Sequence, residues 1–115
     1  MAIIILKDAL DSPQELRKTY ASTLNEIIDV DKKVVALEAD LMGAISTAPV
    51  FEKHPENFIN CGIMEANMVG VASGLSVRGF TPYMHTFGPF ATRRCFDQLF
   101  LSIRGAHNRV TVHAY

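Results

Sequence analysis

Glu65 is the only charged side chain between Glu56 and Arg78, in a run that is otherwise apolar, small or neutral. A carboxylate at the mouth of an apolar helix admits two readings. It can complement the helix macrodipole, which contributes about 0.3–1 kcal/mol. It can instead be a desolvated acid with a raised pKa, held ready for proton chemistry. The spacing of Ala66, Gly70 and Gly74 places small residues on one stripe of that helix. Glycine costs about 1 kcal/mol inside a helix, so the stripe implies close packing against something. Further along, Thr86-Phe87-Gly88-Pro89-Phe90 sets two aromatics three apart across a Gly-Pro break, as a pocket wall or as core. Arg93-Arg94 and Asp97-Gln98 then open a helix, as a solvated face or as an anion contact.

Other chemistry-bearing residues are less organised. Asp40 has no second acid nearby, so turn chemistry suits it better than a metal site. The four histidines are scattered, with no HxxxH or HExxH pattern. Only His85 stands where a ligand could reach, and a satisfied structural histidine is the bland alternative. Cys61 and Cys95 lack metal or disulfide-framework spacing. Neither GxxxxGK[ST] nor GxGxxG occurs, so no phosphate cradle is visible.

The elements that must position these groups are readable. Ser12-Pro13-Gln14-Glu15 has the form of a capping box with proline at the first helical position, followed by Leu16, Tyr20, Leu24 and Ile27/Ile28 at helical spacing to about Asp29. Val34-Val35-Ala36-Leu37 is a short apolar strand suited to burial on both faces. A short helix is expected over residues 49–54, a strand over 58–60, a helix over 64–77, a strand over 81–86, a helix over 90–104 capped by Gly105, and a strand over 110–115. This alternation predicts an α/β fold with a parallel sheet and helices on both faces. Functional groups should then gather at the strand carboxyl ends, which are Asp40, residues 60–65 and residues 86–90.

Composition narrows the function classes. The 115 residues carry 11 Lys+Arg against 12 Asp+Glu and a net charge of −1, which argues against nucleic-acid or membrane-surface binding. No segment approaches the roughly 18 apolar residues of a membrane span. The apolar start of the chain ends at Lys7-Asp8, too soon for a signal peptide, and a reducing cytoplasmic setting is expected. The sequence stops inside a strand-like run, so residues 1–115 read as one truncated domain. The 49% hydrophobic content suggests surface to be covered by another chain.

Three segments carry a resemblance: Ala39-Asp40-Leu41, the string G-I-x-E-x-x-M-x-G-x-A-x-G-L over residues 62–75, and Thr86-Phe87-Gly88-Pro89-Phe90. In order and spacing they resemble the pyrimidine-binding domain of transketolase, and most of all the C-terminal section of a split transketolase. The resemblance implies thiamine diphosphate with Mg²⁺ as cofactor and ketol transfer between sugar phosphates. It places the family's cofactor-activating glutamate, which hydrogen-bonds N1′ of the aminopyrimidine, on Glu65. Phe87 and Phe90 match positions that pack on the pyrimidine ring, and Arg93 matches a pocket-edge position that is often aromatic. Asp40 matches the acid of an A-D-L turn near the cofactor and the subunit interface, while Ile63 and Met64 line the pyrimidine edge.

The family holds metal and diphosphate on a separate domain with a G-D-G…N motif, which does not occur here. The resemblance therefore implies a partner N-terminal section carrying that site, a homo-oligomeric assembly, and a fragment that is inactive alone. Two rivals remain open. One is another thiamine enzyme, a deoxyxylulose-phosphate synthase or a 2-oxoacid dehydrogenase β subunit. The other is a non-catalytic α/β module, against which an intact Glu65 and Phe87 argue.

Overall fold

The computed structural model describes residues 15–115. Helix α1 (Leu16–Val30) is followed by strand β1 (Val34–Glu38), short helices α2 (Met42–Ile45) and α3 (Ala48–Lys53), a 3₁₀ turn (Pro55–Asn57), and strand β2 (Phe58–Asn60). Then come helix α4 (Glu65–Val77), strand β3 (Thr81–Thr86), a π-helical turn (Phe90–Arg94), a single turn α5 (Phe96–Gln98), a π-helical segment (Leu99–Gly105), and strand β4 (Thr111–Ala114). The strands form one parallel sheet in the order β2-β1-β3-β4. The α/β fold with helices on both faces follows the sequence pattern.

Burial shows why β1 is apolar throughout. Every one of its residues is buried. Val34 and Ala36 meet Ala21, Leu24 and Ile28 of α1. Leu37 and Ala39 meet Met68, Val69 and Ala72 of α4, together with Met84 and Cys95. Side chains alternate along a strand, so a strand between two helical layers has no wet face. Among the described residues, no helix is long and apolar enough to cross a membrane.

Three local expectations are corrected. The first helix starts after Glu15, whose extended backbone occupies the cap itself and makes no side-chain cap bond. Its carboxylate instead meets Arg17 at 3.2 Å and Lys18 at 3.4 Å. Glu15 is thus not at the third helical position from which a capping box reaches back, and Ser12-Pro13-Gln14 lie outside the described residues. Second, the helix expected over residues 90–104 is broken into π-helical and α-helical pieces. Third, Gly105 ends the π segment rather than capping it in a left-handed conformation. A Cβ there would come within 3.3 Å of the Phe100 carbonyl, so the glycine permits a close approach.

Candidate functional site

The sheet order turns around between β1 and β3, and in such sheets the crevice beyond the carboxyl ends at that point is where ligands bind. Here the chain leaves β1 through Asp40, leaves β2 through Cys61-Gly62, and leaves β3 through Phe87. Asn60 ties the first two exits together. Its side-chain Oδ1 accepts from the backbone amides of Asp40 (3.1 Å) and Gly62 (2.9 Å), and its Nδ2 donates to the Asp40 carboxylate (3.2 Å). Asp40 has φ 62°, a left-handed conformation that aspartate tolerates better than most side chains. Turn chemistry is what this residue performs.

The tight exit at Gly62, with φ 72°, delivers Glu65 to the first position of α4. Glu65 is 1% exposed. One carboxylate oxygen accepts from the Thr86 hydroxyl at 3.3 Å. The other accepts from the Arg94 guanidinium at 2.7 Å. That guanidinium also lies 3.8 Å over the centre of the Phe90 ring. Phe87 and Phe90 are 6.1 Å apart between ring centres. The site is therefore a buried carboxylate, an aromatic plate, and a planar cation between them.

Of the two readings of Glu65, the burial of the second is found but its raised pKa is not. Burial pushes the carboxyl up and is the largest single influence. The Arg94 hydrogen bond, the backbone amide of Glu65, the Arg94 charge and the Thr86 hydroxyl act in the other direction and together prevail. The group sits below its ordinary carboxylate value because burial came with a cation.

The remaining expected residues are placed as follows. Ile63 and Met64 stand beside Glu65 and are exposed, as is Arg93. Arg93 makes no ion pair among the described residues, whereas its neighbour Arg94 reaches Glu65. The π-helical turn explains the choice. One extra residue per turn rotates the segment, and the Cys95 thiol secures it by donating to the carbonyls of Phe90 (3.2 Å) and Ala91 (3.1 Å). Gly70 and Gly74 are exposed, and beyond their own helix backbone no described atom lies within 4 Å of where their Cβ would be. Ala66 packs against the Leu37, Met68 and Met84 cluster, so among the described residues only the glycine part of the stripe is left without a neighbour.

Sequence reasoning missed a second buried acid. Glu38, fully buried in β1, accepts from the Leu41 amide, from the Thr47 hydroxyl at 2.9 Å, and from His85 Nε2 at 3.2 Å. The other ring nitrogen of His85 is 3.1 Å from the Tyr20 hydroxyl. His85 is thus the satisfied structural histidine of the bland reading. No spacing in the sequence marks the pair, because it is the parallel register that sets Glu38 beside His85 across adjacent strands. The network braces the Leu41 end of the Asp40 turn from below. Among the described residues, no three His, Cys, Asp or Glu side chains gather as a metal-ligand set.

Comparison with known proteins agrees with this geometry. The model of the transketolase pyrimidine-binding domain matches residues 12–114. The 6-deoxy-6-sulfo-D-fructose transketolase subunit SqwH of a Clostridium species is 46% identical over 88 residues, covering 76% of this chain and 27% of that protein. Human transketolase is 36% identical over 84 residues, covering 72% of this chain and 13% of that protein. A solved structure described as a split-gene transketolase, an inactive β4 tetramer, superposes with a TM-score of 0.78 at 38% identity, covering 85% of this chain and 33% of that one. The chain thus spans a third or less of each of these relatives. With its parallel sheet, its Glu65-led helix and a family match over nearly its whole length, the chain belongs to the transketolase pyrimidine-binding-domain family.

Proposed function

We propose that this chain supplies the pyrimidine half of a thiamine diphosphate site in a split transketolase that moves a two-carbon ketol unit between anionic sugars. The observation that carries the reading is Glu65, a buried carboxylate at a helix start that already accepts an N–H from a planar cation resting on Phe90. A carboxylate beside an aromatic face fits an aminopyrimidine, which is flat, shares a proton between its ring nitrogen and the carboxylate, and stacks on the face. When bound, the cofactor supplies the carbon nucleophile for the ketose carbonyl. Glu65 holds a proton at the ring nitrogen N1′, Phe90 and Phe87 orient the ring, and Ile63, Met64 and Arg93 shape its edge. Asp40 stands at the neighbouring turn, toward a subunit interface.

The diphosphate and its Mg²⁺ fall to a partner N-terminal section. Assembly is supported by exposed apolar side chains at Ile63 (70%), Phe96 (64%), Leu101 (66%) and Phe100 (58%), which a second chain would cover. The split-gene neighbour, described as an inactive tetramer, supports self-association and inactivity of this section alone. The Clostridium relative is named for a sulfonated fructose, so phosphorylated and sulfonated ketoses both belong in the assay.

The test is Glu65→Gln in the partner-bound protein. Glutamine keeps the shape but cannot share a titratable proton. Ketol transfer should fall by about 10²-fold or more, the scale of a lost proton-transfer group, with an unchanged circular dichroism spectrum. Exchange of the cofactor C2 proton with deuterium should slow in parallel. Wild-type exchange in the variant removes the role assigned to Glu65.

A further inference from the structure

The Arg94 side chain is 43% exposed while the carboxylate it binds is 1% exposed. Of the two partners, only the arginine can leave. Its guanidinium is planar, cationic and rich in N–H donors. It donates to Glu65 and places its central carbon 3.8 Å from the centre of the Phe90 ring. Those are the two contacts that the reading above gives to an aminopyrimidine.

We propose that Arg94 is an intramolecular stand-in for the pyrimidine ring, occupying its seat in the ligand-free protein and vacating it when the cofactor enters. The inference rests on the thiamine diphosphate reading of the site. It accounts for a cost that reading creates. An empty site would leave the buried Glu65 with the Thr86 hydroxyl and its own backbone as partners, and an uncompensated buried carboxylate is strongly destabilising. Arg94 removes that cost until the ring arrives.

The local backbone is built for this placement. The π-helical turn Phe90–Arg94 brings the guanidinium back over Phe90 and leaves Arg93 outward. The turn is itself anchored at both ends, by the Cys95 thiol and by the Thr92 hydroxyl, which donates to the Gly88 carbonyl at 2.8 Å. The backbone therefore stays while the long side chain swings. No other described cation is paired with Glu65.

A seat that is filled by the protein lowers the apparent affinity of its ligand by the fraction of time the seat is open. With the arginine seated about nine-tenths of the time, its removal tightens binding about tenfold.

The experiment uses the full-length chain assembled with its partner section. Thiamine diphosphate and Mg²⁺ are titrated by calorimetry, and association is followed by stopped flow. Arg94→Met should tighten the dissociation constant about tenfold and speed association, while lowering the melting midpoint of the ligand-free protein. In a Glu65→Gln background the same substitution should give no gain, because the amide no longer holds the arginine. Arg94→Gln, which keeps an N–H donor on a shorter stem, serves if the methionine variant does not fold, and should show the same direction. Weaker or unchanged cofactor binding in the Arg94 variants overturns the stand-in. Failure of the wild-type assembly and of both variants to bind refutes the cofactor reading, and the stand-in with it.

Discussion

Glu38 offers the sharpest test of how the floor of the site is held. It is fully buried and accepts from three donors, two of which, Thr47 and His85, are also at 0% exposure and cannot turn to water. Replacing it with alanine orphans those donors and leaves a void. A buried unsatisfied group costs about 1–3 kcal/mol. Two such groups and the lost packing give about 4 kcal/mol, within the range for removing one partner of a buried pair. That is a large share of the 5–15 kcal/mol typical of a folded domain, and at this size it lowers the melting midpoint by roughly 15 °C.

Glu38→Gln should behave differently. A carboxylate only accepts, so in the neutral His85 ring Nε2 carries the proton and Nδ1 accepts from the Tyr20 hydroxyl. A glutamine can keep its oxygen on the Leu41 amide and present its NH₂ group to His85. The imidazole then satisfies both neighbours by moving its proton to Nδ1 and donating to Tyr20. The bonds to Leu41, His85 and Tyr20 survive, and the Thr47 hydroxyl oxygen takes the second N–H of the amide, so the losses are charge assistance and the acceptor of the Thr47 proton, about 2 kcal/mol together. Urea unfolding measures the two costs, and ¹⁵N-edited NMR of the imidazole reports the tautomer. An alanine variant within about 1 kcal/mol of wild type, or a glutamine variant that keeps the proton on Nε2, refutes this account of the network.

Two further outcomes are expected. Glu65 titrates below its unfolded value, so it contributes stability above about pH 4.3, which is lost as pH falls through the folded value; Asp29, held down chiefly by its Lys53 hydrogen bond, releases in the same window. Acid unfolding followed by circular dichroism should therefore begin at higher pH in Arg94→Met than in wild type, and coincident curves would deny the ion pair any role in solution. Gly62→Ala should cost about 1 kcal/mol, while Gly62→Asn stays closer to wild type. No atom lies within 4 Å of the added Cβ, so the cost is that of a left-handed backbone alone; equal melting midpoints for all three would contradict it.

Much of this molecule is legible without coordinates, because its signals are local. Val34-Val35-Ala36-Leu37 has no polar position and can only be a strand covered twice. Glu65 stands alone in an apolar run and so marks the helix that begins with it. The carboxyl-end residues Asp40, Asn60 and Thr86 follow from strand boundaries that period and turn residues already mark.

What the sequence could not decide is which groups meet. Arg93 and Arg94 are adjacent and chemically identical, and only a π-helical turn secured by the Cys95 thiol selects Arg94 for Glu65. The direction of the Glu65 pKa turned on that choice, since desolvation and a cation oppose each other and only the fold brings the cation. Glu38 meets His85 only through the parallel register, and α1 brings the Tyr20 hydroxyl to the other nitrogen of that imidazole. By itself, then, the sequence determined the layers, the strand ends and the presence of an acid at the mouth of α4. The tertiary structure decided the partners of each acid, because partner choice is set by register, helical phase and the packing of α1, none of which is encoded in the spacing of one segment.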